Sequence, residues 1–404
     1  MRTYDAIIIG GGAAGLMCAI SAKQKYAGKR IAIIERNDRV GKKLLATGNG
    51  RCNLTNENIN TLRYSGSFSK QAEKIFMKYT TERLIDIFSE LGLMTYADNE
   101  GRYYPVSRHA SAVLDVLRFA CDRLGIDILL SKNIRTLKKQ KDKFIVRTES
   151  EEFSSDKLII ACGSKAAPKL GGNSSGIDYL KNLGHTVYPF SPALCPIKVK
   201  SDILKSLKGI RAAALATLYD ENGKKIKSEY GEVQFADNAL SGICIFNLSV
   251  YAQKNYEISL DLLNNISYSE LLYTMNKSKE LFSRQTIDNI FTGIFQKKIT
   301  QAILKMSGVS DFSRLCSDLN EKEIKAICSI AKSMKFKITD KDSFDKAQCA
   351  LGGVKGSEIN ENTMQSKIVN GLYIIGEAVD ICGECGGYNL HFAFSSGHLA
   401  GENI

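Results

Sequence analysis

Tyr4-Asp5-Ala6-Ile7-Ile8-Ile9 runs directly into Gly10-Gly11-Gly12-Ala13-Ala14-Gly15, and a second apolar run, Ile31-Ala32-Ile33-Ile34, ends in Glu35. An isoleucine-rich run bounded by glycine is the pattern of a buried strand. Helix-forming residues extend from about Ala13 to Lys25, so the order is strand, glycine turn, helix, strand, carboxylate. This is the βαβ unit that binds a dinucleotide. Gly10 permits the tight turn, Gly12 lets the backbone approach a pyrophosphate, and Gly15 lets helix and strand pack closely. The helix start at Ala13 and Ala14 offers unpaired N–H groups and a positive dipole end to phosphate. Glu35, about twenty residues beyond the glycines, is positioned for ribose hydroxyls, with Arg36 beside it as a further cofactor contact.

Met1-Arg2 followed by apolar residues has the outward look of a secretory leader, but the glycine cluster interrupts any apolar helix there. No stretch approaches about eighteen uninterrupted apolar residues, so no membrane span is expected. A chain of 404 residues can bury a large core and divide into two or three domains. Its eleven cysteines are odd in number and scattered, the pattern of reduced thiols in a cytoplasmic protein.

The formal charge is +12, from 55 Lys and Arg against 43 Asp and Glu. Such an excess raises nucleic acid or anionic lipid as a partner. Acidic residues are interleaved throughout, however, and the densest basic group, Lys138-Lys139-Gln140-Lys141-Asp142-Lys143, reads as a solvated hairpin. With no aromatic-interleaved basic stripe, nucleic acid is not the expected partner. The charge suits an anionic cofactor and an anionic small-molecule substrate.

The α/β rhythm continues through helices at about 81–91 and 107–124 and short strands at 126–130, 144–147 and 157–161. It breaks around Pro189, Pro192 and Pro196. Strands and turns follow to about Val250, including an Asn222-Gly223 turn, and a Lys-rich helical stretch covers about 267–334. Strand and helix return with Gly371–Gly376 and the C-terminus. The expected fold is α/β, with one nucleotide-binding domain made of both ends of the chain and a β-plus-helical region inserted between them.

Two more constellations bear on the cofactor. The loop Gly41–Asn53 contains Lys42, Lys43, Gly48, Asn49, Gly50, Arg51, Cys52 and Asn53 directly after the ribose-binding strand. Its free backbone donors and three cations can neutralise phosphate or a reduced, anionic flavin ring. Near the C-terminus, Gly376-Glu377 ends a strand and Gly386-Gly387-Tyr388-Asn389 opens a helix, a second anion-binding device. Two such devices suit FAD, and Gly163, ending the strand at 157–161, adds a third close-approach glycine.

Together with Gly101-Arg102-Tyr103-Tyr104-Pro105, Leu240-Ser241-Gly242, Gly352-Gly353-Val354 and Met364-Gln365-Ser366-Lys367, these strings occur in the order seen in a bacterial flavoprotein family. The chain resembles the HI0933-like NAD(P)/FAD-dependent oxidoreductases, which include aminoacetone oxidases and bile-acid enone reductases. The resemblance covers nearly the whole chain and implies a two-dinucleotide-binding-domain (Rossmann-like) flavoprotein fold, with residues 1–190 and 346–404 as the FAD-binding domain, 191–253 as a β-rich substrate domain, and 254–345 as a helical subdomain returning to the β domain. The chain departs from many relatives at Phe235–Leu240, which lacks their Thr-His pair.

No Ser/His/Asp triad and no zinc-ligand spacing demands other chemistry, and no metal site is expected. Tyr388 is the stronger candidate proton donor and His391 the weaker, while Lys43 stands ready to favour the reduced flavin. His185 reads as structural. Cys382-Gly383-Glu384-Cys385 is a CxxC, but a second GxGxxG is missing, so packed thiols are the expectation rather than a catalytic dithiol. Without that second fingerprint, NAD(P)H would bind transiently over the flavin. The expected activity is NAD(P)H-driven reduction of an enone in a small or steroid-like substrate. The alternatives are an amine oxidase using oxygen, a non-catalytic flavin redox sensor or partner-binding protein, and a flavoenzyme acting on RNA.

Overall fold

In the computed structural model, which describes residues 1–404, the chain divides into two compact units, Met1–Ala193 with Phe344–Ile404, and Leu194–Ser343. The first unit is built on a seven-stranded sheet. Arg2–Ile9 lies at its centre, with Ile31–Ile34 and then Asp127–Leu129 parallel on one side and Glu152–Ile160 parallel on the other. The outer edge of Glu152–Ile160 is shared. The antiparallel hairpin Ile134–Gln140 and Lys143–Thr148 takes its first half, and Leu372–Ile374 pairs parallel with its last three residues. This return places the C-terminal segment beside the strand from which Gly163 follows.

The isoleucines predict burial on both faces, and Ile7, Ile8, Ile33 and Ile159 are fully buried. The helix Ala13–Lys25 is buried nearly all round because the C-terminal helix, Tyr388–Gly401, lies against it. Small residues make that approach possible. A Cβ on Gly397 would stand 2.3 Å from the Ala14 carbonyl oxygen, and one on Gly401 would stand 2.4 Å from that of Cys18. The helix expected at 107–124 begins later, at Ala110, because Arg108 adopts a positive φ just before it.

The second unit is a closed six-stranded barrel in the order Ile197–Lys200, Ala239–Ser241, Lys225–Phe235, Arg211–Tyr219, Glu257–Asp261 and Met334–Lys341. Between the last two strands run the helices Tyr268–Leu281, Lys297–Met306 and Glu321–Lys332. A single apolar core joins barrel residues such as Val233, Leu260 and Phe336 to helical residues such as Leu271, Ile303 and Ile327. The boundary expected at 253/254 therefore does not separate two compact bodies. The barrel cannot close until the chain has passed through the helices, because its last strand follows them. No helix is long and apolar enough to cross a membrane.

Candidate functional site

The three fingerprint glycines answer to different constraints. Gly10 adopts φ +109°, and a Cβ there would lie 2.4 Å from the Ala161 carbonyl oxygen. A Cβ on Gly15 would meet the Gly10 carbonyl oxygen at 2.0 Å, so these two are required by the packing of strand, turn and helix. A Cβ on Gly12 would meet nothing within 4 Å. Gly12 faces open space, at the N-cap of a helix with no capping side chain and no acidic residue in its first turn. The unpaired N–H groups and positive dipole end of that helix start open onto the same space.

That space is a cleft of about 1300 Å³ counted to its open mouth, formed entirely by the first unit. Gly10, Gly12, Ala13, Ala14, Glu35, Arg36, Lys42, Lys43, Gly163, Gly376, Glu377 and Asn389 all reach its wall. Glu35 is buried and held in place: Gly11 N–H donates to its Oε2 at 2.8 Å, and the Asn37 backbone and side-chain N–H groups donate to Oε1, each at 2.8 Å. Its orientation is thus set before any ribose arrives. Arg36 donates to the Gly171 carbonyl at 3.1 Å, tying a wall segment to the strand end, and so acts as a brace as well as a lining residue.

On the wall formed by the two later segments, Lys43 Nζ pairs with Glu377 Oε2 at 2.6 Å, and both side chains are mostly buried. Burial alone would push the Lys43 ammonium toward neutrality, but the Glu377 carboxylate outweighs it and raises the pKa, so Lys43 stays charged. Glu377 Oε1 is buried without a hydrogen-bond partner. An orphaned carboxylate oxygen on a cleft wall is a position for a ligand donor. Lys42 is paired with Asp38 at 2.6 Å.

Other expected residues are not brought to this wall. Gly48, Asn49, Gly50, Arg51, Cys52 and Asn53 lie beyond Thr47, the last residue of that loop to line it. Gly48 and Asn49 are left-handed, which turns the chain away. Arg51 instead lies over the Tyr104 ring, and Cys52 is fully buried with its pKa pushed up to about 12 by burial, a packed thiol. Gly386 and Gly387 also fall outside the lining: a Cβ on Gly387 would stand 2.5 Å from the Thr55 carbonyl oxygen, so strand packing rather than ligand approach demands glycine there. Tyr388 is buried against Tyr64 edge-to-face, with Arg63 over its ring. His391 is fully buried between Thr55 Oγ1, 2.8 Å from Nδ1, and the Tyr79 carbonyl, 3.0 Å from Nε2. The carbonyl can only accept, so Nε2 carries the proton and Nδ1 accepts from Thr55. Burial lowers the pKa to about 4, and His391 is a neutral core residue rather than a proton donor.

Lys132, Asn133, Gly172, Asn173, Tyr179, Gln348 and Cys349 are among the further wall residues, none of them expected from the sequence. The adjacent Gly171-Gly172 pair was a usable signal, since a Cβ on Gly172 would meet the Ala166 carbonyl oxygen at 2.0 Å. The others carry no local pattern and arrive from separate segments. A cleft with an uncapped helix start, a fixed carboxylate, a retained ammonium and an orphaned carboxylate oxygen fits an adenine dinucleotide.

The family model of the HI0933-like protein Rossmann domain matches residues 4–403. The chain is 34% identical over 403 residues to a 3-dehydro-bile acid delta(4,6)-reductase of Clostridium scindens, covering 98% of this chain and 97% of that one. It is 26% identical over 405 residues to a ribosomal RNA dihydrouridine synthase of Escherichia coli, covering 100% and 98%. Among solved structures, a 3-ketosteroid delta1-dehydrogenase from Sterolibacterium denitrificans has a similar fold, with a TM-score of 0.51 at 10% identity over 99% of both chains.

Proposed function

Since the chain belongs to the HI0933-like family and is an FAD-dependent oxidoreductase, we propose that it reduces a carbon–carbon double bond conjugated to a carbonyl in a small or steroid-like substrate, with NADH or NADPH as electron donor. The observation that carries this reading is the likeness, along essentially its whole length, to a bile-acid delta(4,6)-reductase in a chain whose cleft fits a dinucleotide.

When bound, FAD supplies hydride chemistry at its ring N5. The chain's own residues bind and tune it. The open face at Gly12 and the N–H groups of Ala13 and Ala14 take the pyrophosphate, and Glu35 takes ribose hydroxyls. Gly163 and Gly376 keep the wall clear of side chains, and Glu377 Oε1 accepts from a cofactor hydroxyl. Lys43 holds a fixed positive charge that favours a reduced, anionic ring. The C-terminal helix that opens at Tyr388 sets Asn389 and Leu390 on the same wall.

A second reading has one observation in its favour. The E. coli relative is named a ribosomal RNA dihydrouridine synthase, and uridine presents a C5–C6 double bond conjugated to its C4 carbonyl. Hydride and proton addition to that bond is the same reaction on a polyanionic substrate, which a formal charge of +12 would suit.

Anaerobic stopped-flow spectroscopy of the flavin tests both. The protein is reduced in turn with NADH and NADPH, then mixed with a conjugated steroid enone, an amine, or unmodified ribosomal RNA. Reduction by a nicotinamide and reoxidation by the enone, with a saturated ketone as product, is the expected result. Reoxidation by RNA alone selects the second reading. Flavin reduction by the amine and none by either nicotinamide would overturn both.

A further inference from the structure

We infer that the face around Tyr96 and Tyr104 docks the adenosine half of the electron donor, and that the donor is NADPH, its 2′-phosphate taken by Arg108; this rests on the reading of a reduced nicotinamide as the electron source. In the three-stranded sheet of Thr55–Asn56, Arg102–Pro105 and Thr95–Ala97, Tyr96 stands directly opposite Tyr104, with ring centroids 6.0 Å apart. The Arg51 guanidinium lies over the Tyr104 ring, 5.0 Å from its centroid, and the Arg108 guanidinium lies over the Tyr96 ring at 5.4 Å. Three separate stretches thus assemble a cation, two rings and a second cation in continuous contact, the aromatic-interleaved basic patch that no single stretch contains. Tyr104 is buried, Tyr96 half-buried and both arginines exposed. Neither guanidinium is paired with a carboxylate: Arg51 Nε donates to the Gly48 carbonyl at 3.2 Å, and Arg108 rests on its ring. A guanidinium stacked in this way keeps its N–H fork free for phosphate.

Two places for phosphate and one for a base follow in order. Arg108 adopts φ +58° and is fixed there by its own N–H, which donates to the Pro105 carbonyl at 2.8 Å. The next residue, His109, is the N-cap of Ala110–Arg123, a helix with no capping side chain and no acid in its first turn. A free fork beside such a helix start favours a phosphate over a hydroxyl. NADH carries that hydroxyl where NADPH carries the 2′-phosphate, so Arg108 sets the preference. At the other end, a Cβ on Gly48 would lie 3.6 Å from the Tyr104 ring, and Gly48 follows Thr47 on the cleft wall. Arg51 is therefore at the cleft side, on the path of a pyrophosphate leading toward the flavin. Tyr96, between the two cations, offers a ring on which adenine stacks. Beyond these residues the face turns acidic. Asp98 and Glu100 hold Arg102 at 2.8 and 2.9 Å, and a Cβ on Gly101 would lie 3.1 Å from Glu57 Oε2. Such a border repels an extended polyanion and selects a single nucleotide over RNA.

The test uses the full FAD-loaded chain and two probes that differ only in the 2′-phosphate, adenosine 2′,5′-bisphosphate and adenosine 5′-monophosphate. By isothermal titration calorimetry the bisphosphate should bind roughly tenfold tighter, the scale of one charge-assisted hydrogen bond. Arg108→Gln should abolish that advantage and leave binding of the monophosphate unchanged, whereas Arg51→Gln should weaken both alike. In stopped-flow, Arg108→Gln should raise the NADPH concentration for half-maximal flavin reduction by a similar factor, with the limiting rate and the whole NADH series unaltered, a split that a merely structural residue would not produce. Equal affinity for the two probes, or discrimination retained in Arg108→Gln, would overturn the proposal. Tight binding of single-stranded RNA that the bisphosphate does not displace would overturn it too, in favour of a polynucleotide surface. Calorimetry needs neither turnover nor an enone. Loss of the 2′-phosphate preference therefore removes this site while the double-bond reductase reading stands, and an enone that fails to reoxidise the flavin removes that reading while the nucleotide result stands.

Discussion

Gly12 and Gly15 are three residues apart and equally glycine, yet they carry different obligations. Gly15 has the Gly10 carbonyl against it, while Gly12 has only the cleft above it. Gly12→Val should therefore leave the fold intact and remove bound FAD, because the side chain occupies the pyrophosphate's space. Gly15→Val should lose both. Bound-flavin absorbance and thermal melts followed by circular dichroism read the two outcomes. Lys43 gives a second prediction at this scale. Its ammonium remains charged beside Glu377, so Lys43→Met removes a positive charge from the cofactor wall while leaving a carboxylate there. The flavin should become harder to reduce, by on the order of 30 mV, which is about 1.4 kcal/mol for a two-electron couple. A redox titration showing no negative shift would place Lys43 away from the ring. Gly12 and Glu35 were legible from spacing because their neighbours in sequence are also their neighbours in space. Glu377 was legible as the end of a strand, but its partnership with Lys43, 334 residues away, was not.

At the scale of elements, the C-terminal helix holds the first unit together. Its glycines permit backbone contact with the dinucleotide helix, so Gly397→Leu should destabilise the protein by about 2 kcal/mol or more, the usual scale of overpacking, and loosen FAD at the same time. Chemical denaturation with and without FAD measures both. The same helix carries His391, and the sign of its pH effect follows from its lowered pKa. An unfolded histidine protonates near 6.5, whereas this one, desolvated by burial, resists protonation until about 4. Its contribution is intact above about pH 6.5 and is lost as pH falls toward 4, where the unfolded chain binds the extra proton. The loss for this one group is about 3 kcal/mol. His391→Gln can keep the donor to Tyr79 and the acceptor to Thr55, so its stability should vary less with pH across that window. An equal slope in parent and variant would refute the assignment. The spacing of helix and strand was readable in sequence through apolar periodicity, whereas the role of His391 was not. A histidine one turn into a helix after two glycines looks like a ligand until Thr55 and Tyr79 are seen around it.

At the scale of the whole molecule, basic residues are spread over both compact units rather than gathered in one, so net charge alone does not identify a nucleic-acid face. Salt separates the readings. Turnover of a neutral enone should change little between 50 and 200 mM salt, whereas a reaction on RNA would lose affinity by orders of magnitude over the same range. Steady-state rates at several ionic strengths decide between them. The sequence by itself determined the dinucleotide unit, the insertion of a β-rich and helical region between two parts of one domain, and family membership. These rest on local periodicity, on glycines where a backbone must turn or be approached, and on strings kept in order along the chain. Tertiary structure alone decided that the helices and strands after 254 share one core with the barrel, that Gly387 is glycine for strand packing, and that His391 is held between Thr55 and Tyr79. Each of those depends on contacts between residues distant in sequence, which no spacing rule encodes, because the path that brings them together is set by how the sheet, the barrel and the returning C-terminal helix close.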